Sequence, residues 1–247
     1  MPAALQVSQL SRLRALSTES CRYTAAGYAP LAALPALRQL SLEDSFSIPA
    51  CLPALTALES LSLSDAMSSR DDYIFFVAAL PRLRQLTHLA IRGVHELAML
   101  PPPAAATHTC LRSLAWLPED DAPLRSGAWL SGLRHLTTGL VIVHASLPAL
   151  AGATALEALS LTYEDEALDW DRANQRLRAV MRWAARHPSL RSLAVGVGEE
   201  AAAILRHLAE EAVDALRGSR VRLQLPEPYS VADRSRLRQL CVGPDLM

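Results

Sequence analysis

Histidine and cysteine are the residues of this sequence best suited to acid–base, nucleophilic or metal chemistry. The chain has seven histidines and four cysteines. A Cys–His nucleophile or a zinc site would need these side chains at short, recognisable spacings. The histidines form no H-E-x-x-H or H-x-H pattern, and Cys21, Cys51, Cys110 and Cys241 form no C-x-x-C pair. We therefore predict no catalytic residues, no metal site and no cofactor.

Two short segments come nearest to a chemical site. His108 and Cys110 lie together in "HTC", but the sequence identifies no third group that would orient the histidine. Asp169 and Asp171 in "DWD" carry carboxylates that suit a metal, yet they are also the acids expected in the first turn of a helix. An enzyme with a dispersed site is kept as a second alternative.

Composition limits the possible function classes. The chain has 247 residues, of which 51% are hydrophobic and 20% charged, which is typical of a folded protein with a sizeable core. A net charge of −1 gives no general attraction to nucleic acid or to an anionic membrane. The longest uncharged stretch, 136–155, contains Pro148 and two glycines, so we expect no membrane-spanning helix there.

The first ten residues lack the basic segment and apolar core of a signal peptide. The cysteines are far apart, which favours buried free thiols in a reducing compartment over disulfides. Together these features predict a cytoplasmic protein, with a nuclear location left open.

A leucine pattern recurs along the chain. The strings "LRQLSL", "LESLSL" and "LEALSL" are copies of L-x-x-L-x-L. The first leucine of the pattern occurs at Leu13, Leu37, Leu58, Leu86, Leu111, Leu156 and Leu190. A looser copy, "LTTGLVI", starts at Leu136, and "VRLQL" near Val221 is read as a final one. Recurrence at intervals of 20 to 34 residues indicates a stacked repeat protein.

These strings resemble the leucine-rich repeat family, whose pattern is L-x-x-L-x-L-x-x-N/C-x-L, from Leu10 to about Leu225. The family's asparagine position is occupied here by Cys21, Ser45, Ala66, Val94, Glu119, Glu164 and Gly198. The chain therefore resembles a divergent member that lacks the asparagine ladder. The resemblance implies an α/β fold: a curved solenoid, or horseshoe, with a parallel sheet on the concave face and turns or helices on the convex face. It also implies a non-enzymatic module that binds another protein.

The physical basis of the pattern is the alternation of side chains along a strand. In x-L-x-L-x both leucines face the core, and stacked units bury a continuous core. We expect short turns or 3₁₀ helices where the interval is 20–25 residues, and helices over Ala167–Arg186 and Glu199–Arg217, the latter closed by Gly218. Residues 1–229 are assigned to a solenoid of about nine units, and residues 230–247 to a C-terminal capping helix and tail.

The first unit begins almost at Met1, with no predicted cap. An uncapped stack exposes a strand edge, so we predict either self-association or a missing N-terminal region. The alternative function is the substrate-recognition part of an F-box/leucine-rich-repeat-like ubiquitin ligase subunit. No F-box-like segment precedes Leu13, so this alternative needs further N-terminal sequence.

Charged residues flank the predicted strands. The acidic rim, which follows the strands, comprises Glu43, Asp44, Asp65, Glu119, Asp120, Asp121, Glu164, Asp165, Glu166, Glu199 and Glu200. The basic rim precedes the strands. It comprises Arg14, Arg38, Arg112 and Arg191, which each follow the first leucine of a unit, and Arg84 and Arg134, which are expected one turn earlier. In one interpretation both rims are solvated faces that keep the protein soluble. In the other, the acidic rim orients a basic protein partner.

The outward positions of the strands are the predicted contact surface. Candidate partner-binding residues are Gln39, Glu43, Asp44, Ser62, Asp65, His88, Arg92, Ser160, Tyr163 and Arg222. Tyr163, Arg92 and Arg222 rank first because binding hot spots are usually Tyr, Trp or Arg. The proline-rich segment 99–109 is a further candidate surface. We expect no nucleic-acid partner, because the arginines lack interleaved aromatic residues, and no membrane partner.

Overall fold

A single parallel sheet organises the protein. The computed structural model describes residues 10–20, 25–45, 47–65, 70–93, 110–117, 123–162, 170–196 and 216–224. Nine strands pair in sequence order, each coil contributing one strand, and β1 and β9 lie at opposite ends of the sheet. The strands are β1 Ala15–Glu19, β2 Gln39–Glu43, β3 Ser60–Ser64, β4 His88–Arg92, β5 Ser113–Leu117, β6 His135–Gly139, β7 Ala158–Thr162, β8 Ser192–Val195 and β9 Arg222–Gln224. The predicted leucine-rich-repeat solenoid is confirmed.

Alternate strand residues enter the core, as the pattern predicts. Leu61 and Leu63 of β3 are each 1% exposed, while Ser60, Ser62 and Ser64 between them are half-buried. The first leucines of the second to eighth coils pack behind the sheet. They are Leu37, Leu58, Leu86, Leu111, Leu133, Leu156 and Leu190, each at most 2% exposed. Aliphatic side chains therefore stack from coil to coil in one core.

The sixth coil begins three residues earlier than the sequence analysis placed it. In the register of β6, Leu136 lies between Leu114 and Leu159, so it is a strand leucine and not the first leucine of the unit. The first leucine is Leu133, and the repeat reads "LRHLTT". Thr138 holds the second inward position of β6, where each of the strands β2 to β5 has a large hydrophobic residue. The looser copy starting at Leu136 was a misreading caused by this threonine.

The returning limbs contain more α-helix than predicted. The helices are α1 Arg70–Ala79, α2 Leu140–Leu150 and α3 Trp170–Arg186, and 3₁₀ segments occupy Ala25–Ala33, Leu52–Ala54, Leu80–Arg82 and Ala128–Gly132. The helix predicted over Ala167–Arg186 is confirmed from Trp170 to Arg186, and residues 167–169 lie outside the described residues. Neither α1 nor α2 was predicted, and α2 lies where a short turn was expected. Within the predicted helix that ends at Arg217, only Leu216 and Arg217 are described, and Gly218 follows with a φ of +79°.

The sheet is held at its strand starts by a repeated backbone arrangement. The carbonyl of Arg38 accepts hydrogen bonds from the N–H groups of Glu59 and Ser60, at 2.7 and 2.9 Å. The carbonyls of Thr87 and Arg134 accept from the next coil in the same way. This column of residues, one before each strand, is therefore fixed in register from coil to coil, which determines where each of its side chains originates.

Several expectations concern other parts of the chain. The predicted capping helix and tail at 230–247 lie outside the described residues. Cys51 is half-buried and Cys110 is exposed, both as free thiols, so the prediction of burial is wrong for Cys110. Over the described ranges, no helix combines the length and apolar character needed to cross a lipid bilayer. The inward residues of β1, Leu16 and Thr18, are only half-buried, in contrast to those of β2.

Candidate interaction surface

The outward side chains of the sheet form rows that run across the strands, because the register aligns equivalent residues. The central row consists of Ser17, Ser41, Ser62, Ala90, Ala115, Thr137, Ser160, Ala194 and Gln224. Eight of these nine side chains are Ser, Ala or Thr. Neighbouring strands lie about 4.8 Å apart. A continuous, low strip of small side chains therefore crosses the whole sheet.

Larger polar groups stand on the strand-start side of this strip. Gln39, His88, His135 and Arg222 occupy the same register position on β2, β4, β6 and β9, and all four are exposed. Ser113 lies between the two histidines on the intervening strand. The hydroxyl of Thr87 lies 2.8 Å from Nδ1 of His88. The long side chains of this row project further from the sheet than those of the central row and offer hydrogen-bonding groups to a partner.

Charged residues stand on the strand-end side, on the first four strands. Glu19, Glu43 and Arg92 are exposed, and Ser64 separates Glu43 from Arg92 in the register. Glu43 and Arg92 are thus two strands apart, roughly 10 Å. Opposite charges at this spacing can each contact a separate group on a partner.

The residue after each of the first four strands adopts a left-handed backbone conformation. The φ angles are +50° at Ser20, +50° at Asp44, +49° at Asp65 and +60° at Gly93. Each of these residues also donates its N–H to the last strand residue of the following coil, for example Asp44 to the carbonyl of Ser64 at 2.9 Å. Aspartate tolerates this conformation better than most side chains do. The recurring acid of "LED" and "LSD" thus has a structural reason at Asp44 and Asp65.

Both aspartate side chains also accept a hydrogen bond, Asp44 from the preceding coil and Asp65 from its own coil. Ser20 donates its hydroxyl to Oδ2 of Asp44 at 3.2 Å, and Ser64 donates to Oδ2 of Asp65 at 3.3 Å. Both carboxylates remain exposed. Asp44 and Asp65 therefore combine a turn-forming role with a position at the edge of the outer face, whereas Glu43 lies on the face itself.

Acids interrupt the predicted basic rim. Glu59 and Glu157 lie in the same pre-strand column as Arg38 and Arg134 and form ion pairs with them. The Arg134–Glu157 pair joins Nη1 to Oε1 at 3.3 Å. Arg134 belongs to this column and not one turn earlier, as the sequence analysis assumed. The basic rim is therefore a mixed row in which part of the positive charge is neutralised locally.

Of the predicted contact residues that the structure describes, seven lie on the outer face and two at its edge, and they do not form one compact site. Gln39, Glu43, His88, Arg92 and Arg222 are exposed, and Ser62 and Ser160 lie half-buried in the central row. From β2 to β9 the set spans seven strand spacings, roughly 34 Å. Tyr163 and segment 99–109 lie outside the described residues. His135 was missed because the sixth coil was displaced by three residues, although "LRHL" repeats the spacing of "LRQL".

Among the described residues, two titratable groups have a shifted pKa, and both lie away from the outer face. Burial raises the pKa of the Cys51 thiol, and hydrogen bonds with the backbone of Cys51 and Ala32 oppose this in part. Burial lowers the pKa of His187 below its ordinary 6.5, against a hydrogen bond with the Ala153 backbone. No group of three or more His, Cys, Asp or Glu side chains within the described ranges is arranged to hold a metal ion.

Comparison with known proteins finds structural likenesses but no sequence match. No protein-family model and no curated protein matches the sequence. Among solved structures, the chain is similar to the crystal structure of an internalin, inlF, from Listeria monocytogenes, with a TM-score of 0.47 and 17% sequence identity. The match covers 94% of this chain and 73% of that chain. On the evidence of its own recurring leucines and its sequential parallel strands, this chain has the leucine-rich-repeat fold.

Proposed function

We propose that the chain is a non-enzymatic protein-binding module that holds its partner against the outer face of the sheet, the concave face of the predicted horseshoe. The observation that carries this proposal is the central row of small side chains, bordered by exposed polar and charged groups. A strip without bulky side chains lets a partner approach the sheet closely. The bordering groups, among them His88, Arg92 and Arg222, then supply directional contacts.

A bulky charged residue in the central row should block such a partner. Ser62 lies between Ser41 and Ala90 in the register, so an arginine at position 62 would project from the strip. Ala145 is exposed on α2, in a returning limb, and Ala145→Arg is the matched control. Partners are captured from native cell extract with the wild-type chain, and their affinities for both variants are then measured. The proposal predicts loss of binding with Ser62→Arg and wild-type affinity with Ala145→Arg; equal affinity for both would contradict it.

The charge character of the partner is a separate part of the proposal. If the partner is basic, the exposed acids accelerate its association through long-range attraction, which salt screens. Replacing Glu43, Asp44 and Asp65 by Gln, Asn and Asn should slow association and weaken its salt dependence. Asparagine also tolerates the left-handed backbone, so the thermal stability should stay near that of the wild type. Unchanged association kinetics would assign these acids to the turns and to solubility alone.

A further inference from the structure

A cleft interrupts the strand-start edge of the last four coils, away from the outer face. Its volume is about 250 Å³, and its walls include Arg134, Glu157, Ser189, Arg191 and Arg220. Three arginines and one glutamate therefore line the same cleft. With one unit of charge each, three positive and one negative, the walls carry a net charge of +2. Partner binding on the outer face, as proposed above, does not involve these residues.

The column of pre-strand residues brings most of these charges together. Arg134, Glu157 and Arg191 precede β6, β7 and β8, and the carbonyls of Arg134 and Glu157 each accept two N–H groups from the next coil. Adjacent members are one strand spacing apart, about 4.8 Å. The backbone thus fixes where each side chain originates.

Arg220 marks a break in the repeat. It lies two residues before β9, and the same position in the preceding coils is a leucine, from Leu13 to Leu190. Those leucines are buried from the second coil to the eighth, whereas Arg220 is exposed. A cation has therefore replaced a core residue at the point where the cleft forms.

The charges in the cleft are not balanced from within. Glu157 pairs with Arg134 at 3.3 Å. Across the described part of the chain, neither Arg191 nor Arg220 has a salt bridge. The Ser189 hydroxyl donates to the carbonyl of Thr154 and is thereby held at the wall. Two unpaired guanidinium groups sharing one cleft repel each other, and an anion between them would relieve this.

We propose that this cleft binds a doubly charged oxyanion of the phosphate-monoester type through Arg191 and Arg220. The planar guanidinium group donates paired hydrogen bonds that match phosphate oxygens, and a dianion matches the net charge of the walls. The phosphate belongs either to a phosphorylated residue of a protein or to a small molecule. This inference does not depend on the outer sheet face being the contact surface of the solenoid.

Calorimetry at low salt measures binding to the wild type and to three variants. The probes are inorganic phosphate, a degenerate phosphoserine peptide pool, and the matching pools with serine or glutamate in place of phosphoserine. Arg191→Gln removes one cation, and Arg220→Leu restores the leucine found in the other coils, so its fold should be preserved. Arg112→Gln is the control, since Arg112 holds the same pre-strand position before β5, outside the cleft. Each cleft variant should weaken binding about tenfold or more, in line with the loss of charge-assisted hydrogen bonds, and the control should not.

The probes separate the two sources of phosphate. Binding of the phosphoserine pool but not of free phosphate assigns the site to phosphorylated proteins, and the reverse assigns it to a small molecule; both support the proposal. Binding of the glutamate pool as tightly as the phosphoserine pool overturns the preference for a dianion. Absence of binding by the wild type, or equal binding by the wild type and both cleft variants, overturns the site itself.

Discussion

The carboxylate of Asp65 lies directly above Gly93 of the next coil. A Cβ atom built on Gly93 would be 1.7 Å from Oδ1 and 2.7 Å from Cγ of Asp65. Both residues have positive φ and follow equivalent strands, β3 and β4. The left-handed turn thus brings neighbouring coils into lateral contact, and a side chain at position 93 would require the Asp65 carboxylate to move.

Gly93→Ala should destabilise the protein for two reasons. Alanine in the left-handed region costs about 1–2 kcal/mol, and the new methyl group would displace the Asp65 carboxylate. Gly218→Ala is the control, because Gly218 also has positive φ but has no atom within 4 Å of the added Cβ. Urea unfolding should show a larger loss for Gly93→Ala. Adding Asp65→Gly should remove the excess, and equal losses at both glycines would argue against the contact.

An aspartate substitution should affect stability very differently at two adjacent residues of β3, one facing the core and one facing outward. Leu61 is 1% exposed, so Leu61→Asp places an unpaired carboxylate in the stacked core and should cost several kcal/mol, on the order of 4. Ser62 faces outward, so Ser62→Asp should change the free energy of unfolding by less than about 1 kcal/mol. Circular dichroism during thermal unfolding distinguishes them. A cooperative transition at the wild-type temperature in Leu61→Asp would contradict the inward assignment.

The sequence predicted the strands well because each one is specified by two inward leucines at a fixed spacing. The prediction failed where another residue type holds one of those positions. At Thr138 a small polar side chain hides the strand signal, so the leucine pattern wrongly predicts that a unit starts at Leu136. The adjacent helix α2 was missed since its start at Gly139 has no side-chain cap and Pro148 lies inside it. For α1, Asp71 and Asp72 in the first turn were an available signal.

The outer face was predicted only in part, for a related reason. Outward positions have no fixed residue type, so they are found only after the inward ones are in register. With the sixth coil displaced, His135 and Thr137 were not assigned to the rows that contain His88 and Ser160. The acids after the strands were visible, but their backbone conformation was not. Because aspartate favours left-handed turns, this backbone conformation could have been predicted at Asp44 and Asp65.

Thr138 offers a test of the register of the sixth coil. Its side chain is fully buried, and Oγ1 has no hydrogen-bond partner. Valine has nearly the same shape and no hydroxyl, so Thr138→Val should stabilise the protein by about 1 kcal/mol. Thr137→Val, on the half-buried outer face, should have little effect. Chemical denaturation measures both. A clear loss of stability in Thr138→Val would indicate that the hydroxyl is satisfied and the inward placement is wrong.

His187 should make stability depend on pH in the acidic range. Burial lowers its folded pKa below 6.5, and its ring lies 4.8 Å from that of Trp183. The unfolded chain therefore binds a proton at this residue more readily, and the free energy of unfolding falls as pH drops from about 6.5 through the folded pKa. His187→Gln should remove this part of the decline. His135→Gln, at an exposed position, is the control. Urea unfolding at about pH 7.5 and pH 5.5 measures the difference, and an identical decline in wild type and His187→Gln would show that His187 is not its source.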